Sequence, residues 1–244
     1  MCEQCPVVPT GWIGWIDLPA PAPPTPAGPW IDLTHQVGPD MPCASIFPRP
    51  SFNKLRSLPG DPYNVTEIHM VAHAGTHVDA PLHYFADGPD MASIPLDRLC
   101  GAGVVWRIPR QDDEIIDVAD LEAARPLLQA GDILAVDTGW AQHFGTERYE
   151  RHPSFSPAAA TWLLTRKIKL LACDFATPDL VYHLREPGFD WPVHKQLLAN
   201  GILICEHLTG HAALAGQRVE FQFAALPLVG GDGAQARVIA RRIA

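Results

Sequence analysis

Four side chains able to bind a cation or carry a proton fall in one short run, His73-Ala-Gly-Thr-His77-Val-Asp79-Ala-Pro-Leu-His83. All four stand at odd positions. An extended chain alternates its side chains with period two, so an extended segment presents all four on one side. On a helix His73 and His77 would share a face while Asp79 pointed away. Gly75 and Pro81 also disfavour a helix. The expectation is a strand running into a loop. Imidazoles and a carboxylate aimed at one point suit zinc or another first-row divalent ion. Such an ion acidifies water for attack on a carbonyl, and histidine, titrating near about 6.5, suits the accompanying proton transfers. Gly75 and Thr76 fit a tight turn, with Thr76 placed to orient a ligand.

The elements that must hold this run are short. Val65 to His73 reads as a strand, as does Val104 to Ile108. Asp132 to Asp137, Leu170 to Asp174 and Gly201 to Glu206 are brief apolar runs that end in a carboxylate, the pattern of buried strands. Phe221 to Leu226 and Arg237 to Ile243 complete a sheet. Asp117 can cap a helix running to about Leu128, bent or shortened by Pro126. Ser156-Pro157 opens another that runs to about Arg166. A third runs from Pro192 to Asn200 and stops at Gly201. The alternation predicts one α/β domain with a mixed sheet flanked by helices over residues 30–244. Residues 1–29 form a separate Pro-rich arm carrying Trp12 and Trp15: a frayed tail, or an arm that packs on a partner subunit or covers a pocket.

Composition narrows the partners. The chain has 244 residues, enough for a sizeable core, with 47% hydrophobic and 18% charged residues. A net charge of -9 and no basic run argue against nucleic acid or an anionic membrane as partner. No apolar stretch is long enough for a membrane span, and no secretory signal is seen, so a cytoplasmic location is expected. The six cysteines form no dense framework and are read as free thiols, Cys173 and Cys205 as small buried hydrophobes. Cys2-x-x-Cys5 lacks two further ligands and a redox-fold context, which favours no function.

The run HAGTHVDAPLH resembles the HxGTHxDxPxH signature of the putative cyclase family, which includes bacterial kynurenine formamidases and isatin hydrolases. Ile31-Asp-Leu-Thr34, Asn64, Asp137-Thr-Gly139 and Ala225-Leu-Pro-Leu228 match it as well. The resemblance covers roughly residues 30–244 and implies a swivelling β/β/α-type domain. It further implies that His73, His77 and Asp79 hold one metal ion. Asp79 would bridge to a second ion held by His194 and Glu206, which have the family's spacing of twelve residues (206 − 194). Taken alone, His194 would be an ordinary helix-surface histidine and Glu206 a strand-end carboxylate. His83 becomes the general acid/base, and His207 helps to position substrate. His69 and His211 receive no role. The implied cofactor is a divalent metal, zinc or manganese, one or two ions per subunit, in a homo-oligomer (dimer or higher).

The implied substrate is a small aromatic amide, either N-formylkynurenine-like or cyclic like isatin. Kynurenine formamidases usually carry Trp-Pro-Gly in the first loop; here Phe47-Pro48-Arg49 stands nearest, in a longer loop. Phe47, Trp140 and Trp191 are candidates for an aromatic pocket, and Arg49 or Arg56 for pairing with a substrate carboxylate. A lactone or another cyclic imide is an alternative substrate for the same metal site. A non-catalytic metal-stabilised protein is the rival class, against which His83 beside the ligands counts.

Overall fold

Strand segments too short and too apolar for amphipathic helices become the centre of the sheet. The computed structural model describes residues 7–20, 23–43 and 46–244; Cys2 and Cys5 lie outside them. In chain order the described strands are β1 (Ile31–Asp32), β2 (Ser51–Arg56), β3 (Val65–His69), β4 (His77–Asp79), β5 (Cys100–Arg107), β6 (Ile115–Ile116), β7 (Ile133–Asp137), β8 (Ser154–Phe155), β9 (Leu170–Cys173), β10 (Leu203–Glu206), β11 (Gln217–Ala225) and β12 (Gly233–Arg242). The helices are α1 (Val118–Ala123), α2 (Pro157–Thr165) and α3 (Pro192–Ala199).

The main sheet is mixed, in the order β1-β12-β11-β5-β7-β9-β10-β4. Its β5, β7, β9 and β10 run parallel, and the other pairs are antiparallel. A further pairing of β12 with β4 joins the two ends, so seven strands close into a barrel-like ring. The expected single α/β domain with a mixed sheet is therefore present, with few helices. Alternation along the parallel strands sorts two cores. Ile133, Ala135, Leu170, Ala172, Leu203 and Cys205 face the ring interior with Val78, Phe221 and Val238. Leu134, Val136, Leu171, Cys173 and Ile204 face the helices and meet Leu163, Val193 and Leu197. Both faces are covered, as parallel strands require.

Two boundaries differ from the sequence reading. The strand begun at Val65 ends at His69, because residues 72–76 turn sharply before β4. Helix α1 stops at Ala123 rather than near Leu128. Asp117 and Asp120 form its reciprocal cap, but the residue before Pro126 is pushed out of helical geometry. Helix α2 meets its expectation, with the Ser156 hydroxyl accepting from Ala159 N–H.

The described residues of the arm pack on the body of the chain and do not line the functional cavity. Ile13 and Gly14 N–H donate to the Ala199 carbonyl and Ile16 N–H to that of Asn200. Trp12 and Trp15 meet edge to face, with the Arg98 guanidinium over Trp15. Gly201, at φ 68°, is the residue this contact demands: a Cβ there would lie 2.6 Å from the Trp15 ring.

Candidate metal centre and its cavity

Strand β4 is three residues long and fully buried, with a neighbour on each side. Val78 faces the ring interior, so His77 and Asp79 share the opposite face. Across the antiparallel pair, Glu206 of β10 stands directly opposite His77. Such pairs hold their Cβ atoms about 4.5–5.5 Å apart on one face. Helix α3 supplies His194 from the same side. His194 Nε2 lies 3.4 Å from Asp79 Oδ2 and 3.2 Å from Glu206 Oε1. His77 Nε2 lies 3.2 Å from Asp79 Oδ1 and 3.4 Å from Glu206 Oε2. Sequence separation thus disappears in space, and Asp79 occupies the middle, with a histidine nitrogen close to each oxygen.

His73 and His83 join by another route than the one expected. Neither belongs to a strand: His73 lies in the turn before β4, and His83 ends a 3-10 turn at Pro81–His83. The chain folds around Asp79 instead of extending past it. The His73 Nδ1 is 2.9 Å from Asp79 Oδ1, and the His73 and His83 rings stack at 4.0 Å. Gly233 makes this possible, since a Cβ there would meet the His73 ring at 2.8 Å. Gly75, at φ 66°, provides the turn.

Three groups outside the sequence reading fix these rings. Asp232 Oδ2 accepts from His73 Nε2 at 2.9 Å and from His83 Nδ1 at 3.3 Å. Asp179 caps α3, accepting from Val193 and His194 N–H, and also takes the His194 Nδ1 proton at 2.7 Å. The Tyr149 hydroxyl is 2.8 Å from His207 Nδ1. Each carboxylate fixes which nitrogen of its partner faces the centre. The Gly230-Gly-Asp-Gly233 turn was the available signal for Asp232; Asp179 and Tyr149 had none.

The electrostatics follow from burial and neighbours. Burial opposes a proton on His73, but Asp79 and Asp232 outweigh it and raise its pKa to about 9. Burial favours the neutral acid at Asp79, yet His77, His194 and His73 hold it well below the usual carboxylate range. Burial and the nearby Asp79 charge push Glu206 up. Burial lowers His83 to about 4.

The donor set fits a divalent cation. His77 Nε2, Asp79 Oδ2 and Glu206 Oε1 are buried and make no hydrogen bond among the described residues. Unsatisfied groups this deep are costly unless something else binds them. The 3.2–3.4 Å separations also match the edge, about 3.3 Å, of a tetrahedron whose ligands sit about 2.0–2.1 Å from its centre. His73, Asp79 and His83 form one potential ligand group; Asp79, His194 and Glu206 form another; His77, Glu206 and His207 form a third.

A cavity of about 470 Å³ opens on this cluster, a volume suited to a small ligand. Phe47, Trp191 and His207 line it, as do Tyr84, Phe144 and Tyr149. Trp191 and His207 both have left-handed backbones, at φ 44° and 58°, and such strain concentrates at functional positions. Trp140 does not line the cavity: it is 1% exposed in the core, where its indole N–H donates to the Tyr149 carbonyl. Arg49 and Arg56 do not line it either, and Arg56 pairs with Asp61 on the exposed β2–β3 hairpin. His69 is exposed beside Glu67, and His211 is buried against Val136.

The family model described as putative cyclase matches residues 31–180, more than half of the chain. This chain belongs to the putative cyclase family. A kynurenine formamidase from Erythrobacter litoralis is 32% identical over 189 residues, 75% of this chain and 80% of that protein. Isatin hydrolase A from Labrenzia aggregata, solved with benzyl benzoate, superposes with a TM-score of 0.79 at 22% identity over 89% of this chain and 94% of its own. A structure described as a potential metal-dependent hydrolase with cyclase activity superposes at 0.72, 26% identical over 88% and 98%. The shared class is metal-dependent hydrolysis of non-peptide C–N bonds, and this family member is an enzyme of that class. Among its described residues no helix is long and apolar enough to cross a membrane.

Proposed function

We propose that this enzyme cleaves the C–N amide bond of a small aromatic substrate, either an aryl formamide like N-formylkynurenine or a cyclic amide like isatin. The observation that carries this reading is the set of unsatisfied buried ligand atoms on His77, Asp79 and Glu206, beside an aromatic cavity that Glu206, His73 and His194 line. His73, His77, Asp79, His194 and Glu206 would hold the metal, zinc or manganese, as one or two ions. When bound, such a cation supplies Lewis acidity, polarising the amide carbonyl and acidifying water. His83 donates Nδ1–H to Asp232, which leaves Nε2 as the acceptor for the nucleophile's proton. The same nitrogen returns that proton to the departing amine. An aryl amine leaves readily because its lone pair delocalises into the ring. Tyr84, Phe47 and Trp191 hold the aromatic ring, and His207, anchored by Tyr149, sets the deep wall.

The family also suggests a homo-oligomer, with sedimentation equilibrium as the check on subunit count. The deciding experiment measures bound metal and turnover of N-formylkynurenine and isatin before and after chelation. We expect turnover of at least one substrate that is lost on chelation and returns with zinc or manganese. Full activity in metal-free protein overturns the proposal.

A further inference from the structure

The loop between β9 and α3 carries Arg185, the one Arg or Lys among the described residues lining the cavity. Its Nε donates to the Leu180 carbonyl at 2.7 Å, which fixes the plane of the guanidinium. The guanidinium carbon lies 4.9 Å from the Phe189 ring centroid, 5.6 Å from that of Trp191 and 5.7 Å from that of Tyr182. Among the described residues no carboxylate comes within 4.0 Å of it, and neither terminal nitrogen makes a hydrogen bond. Asp179, the nearby buried acid, is already committed to α3 and His194. Burial works against this charge. The result is a half-buried cation in an aromatic frame, its fork of donors unmatched.

A row of rings connects it to the metal centre. His194 meets Tyr84 at 5.0 Å, and Tyr84 meets Trp191 at 6.3 Å. Trp191 in turn flanks the guanidinium. The strained φ of 44° at Trp191, just before Pro192, turns the chain where this ring stands. A guanidinium fork matches a carboxylate bidentately, and low-dielectric walls strengthen the pairing.

Building on the hydrolase reading, we propose that Arg185 is a specificity-determining residue that binds a substrate carboxylate. The preferred substrate class is an aryl amide bearing a carboxylate on a short side chain, remote from the bond that breaks. The ring lies along Tyr84 and Trp191, the amide faces His83, and the carboxylate takes the two free nitrogens of Arg185. Uncharged amides of the same ring bind without this anchor.

The test compares N-formylkynurenine, its methyl ester and formanilide as substrates of the metal-loaded wild type, Arg185→Met and Arg185→Lys. It adds binding of kynurenine and its methyl ester, read by quenching of tryptophan fluorescence. We expect wild type to favour the acid over the ester by about tenfold or more in kcat/KM, mainly through KM. Arg185→Met removes that preference and leaves formanilide turnover unchanged; Arg185→Lys restores part of it. Equal use of acid and ester by wild type, or an equal loss on all three substrates in Arg185→Met, overturns the proposal. If wild type hydrolyses none of them, the aryl-formamide reading fails, and isatin turnover decides the cyclic-amide reading. The binding arm then decides on Arg185 alone: weaker binding of kynurenine but not of its ester in Arg185→Met supports it, and unchanged binding rejects it.

Discussion

The knot of imidazoles and carboxylates at β4 and a second one at the ends of β7 and β9 use the same residue types to opposite ends. In the second, Asp137, Asp174 and His211 are buried as deeply as any metal-centre residue. Its acids, however, are saturated. Asp174 accepts from the Thr138 hydroxyl at 2.6 Å and from the N–H groups of Thr138 and Trp140, and Asp137 from Gly139 N–H and Arg107. These carboxylates pin the loop after β7 and have no lone pair aimed at a cavity. Around Asp79 the atoms left over point to one place. Hydrogen bonding of the acids, more than residue type or burial, separates a ligand set from a structural brace, although His211 Nδ1 in the second knot is also buried without a partner.

The largest effect should come from Asp79→Asn, which removes the central anionic ligand. Metal analysis should fall from stoichiometric to background, and turnover should disappear with it. Retained metal would break the contrast between the two knots. Next, His83→Ala should lower kcat by about 10²–10⁴ while metal content stays at the wild-type level. On the other side of the comparison, Asp174→Asn should keep its metal but lose about 3 kcal/mol of stability in urea, because buried donors lose one of the carboxylate oxygens that accept from them. Metal loss from a folded Asp174→Asn protein would show that the second knot is not a mere brace.

Two histidines sharpen the point. His73, with two carboxylates, is raised to about 9, whereas burial lowers His152, with only the Pro153 carbonyl beside Nδ1, to about 4. Because the folded pKa of His152 is depressed, the unfolded state takes up more protons. Its share of stability is complete above about 6.5 and is lost as pH falls towards about 4, at most about 3 kcal/mol. His152→Gln should flatten acid unfolding over that window in paired denaturation curves. The smallest expected effect is on affinity: Asp179→Asn should weaken metal binding about 10–100-fold in competition with a chelator, since His194 loses the partner that orients it.

Much of the site could be read from residue types, because the ligands cluster in the run from His73 to His83. The reason offered for their convergence was only half right. His77 and Asp79 do share a strand face, but His73 and His83 arrive through a turn and a 3-10 turn, so period two does not govern them. The strands β7, β9 and β10 and the helices α2 and α3 were legible because apolar runs and caps are local signals. Asp232, Asp179 and Arg185 were not. Each acts on residues far along the chain or through the shape of a loop, which composition and periodicity do not encode. The same limit explains why Arg49 and Arg56 were plausible partners for a carboxylate and Arg185 was passed over.

Ring closure by β12 has a consequence for the order of assembly. Strand β4 contributes only three residues, and half of its backbone pairing comes from Gly233–Gln235. Asp232, which orients two of the imidazoles, immediately precedes that segment. A nascent chain that has not yet exposed β12 possesses every ligand but no rigid place to hold them. Loading with metal then follows the sealing of the barrel by β12, and deleting that strand should cost the enzyme its metal although no ligand has been removed.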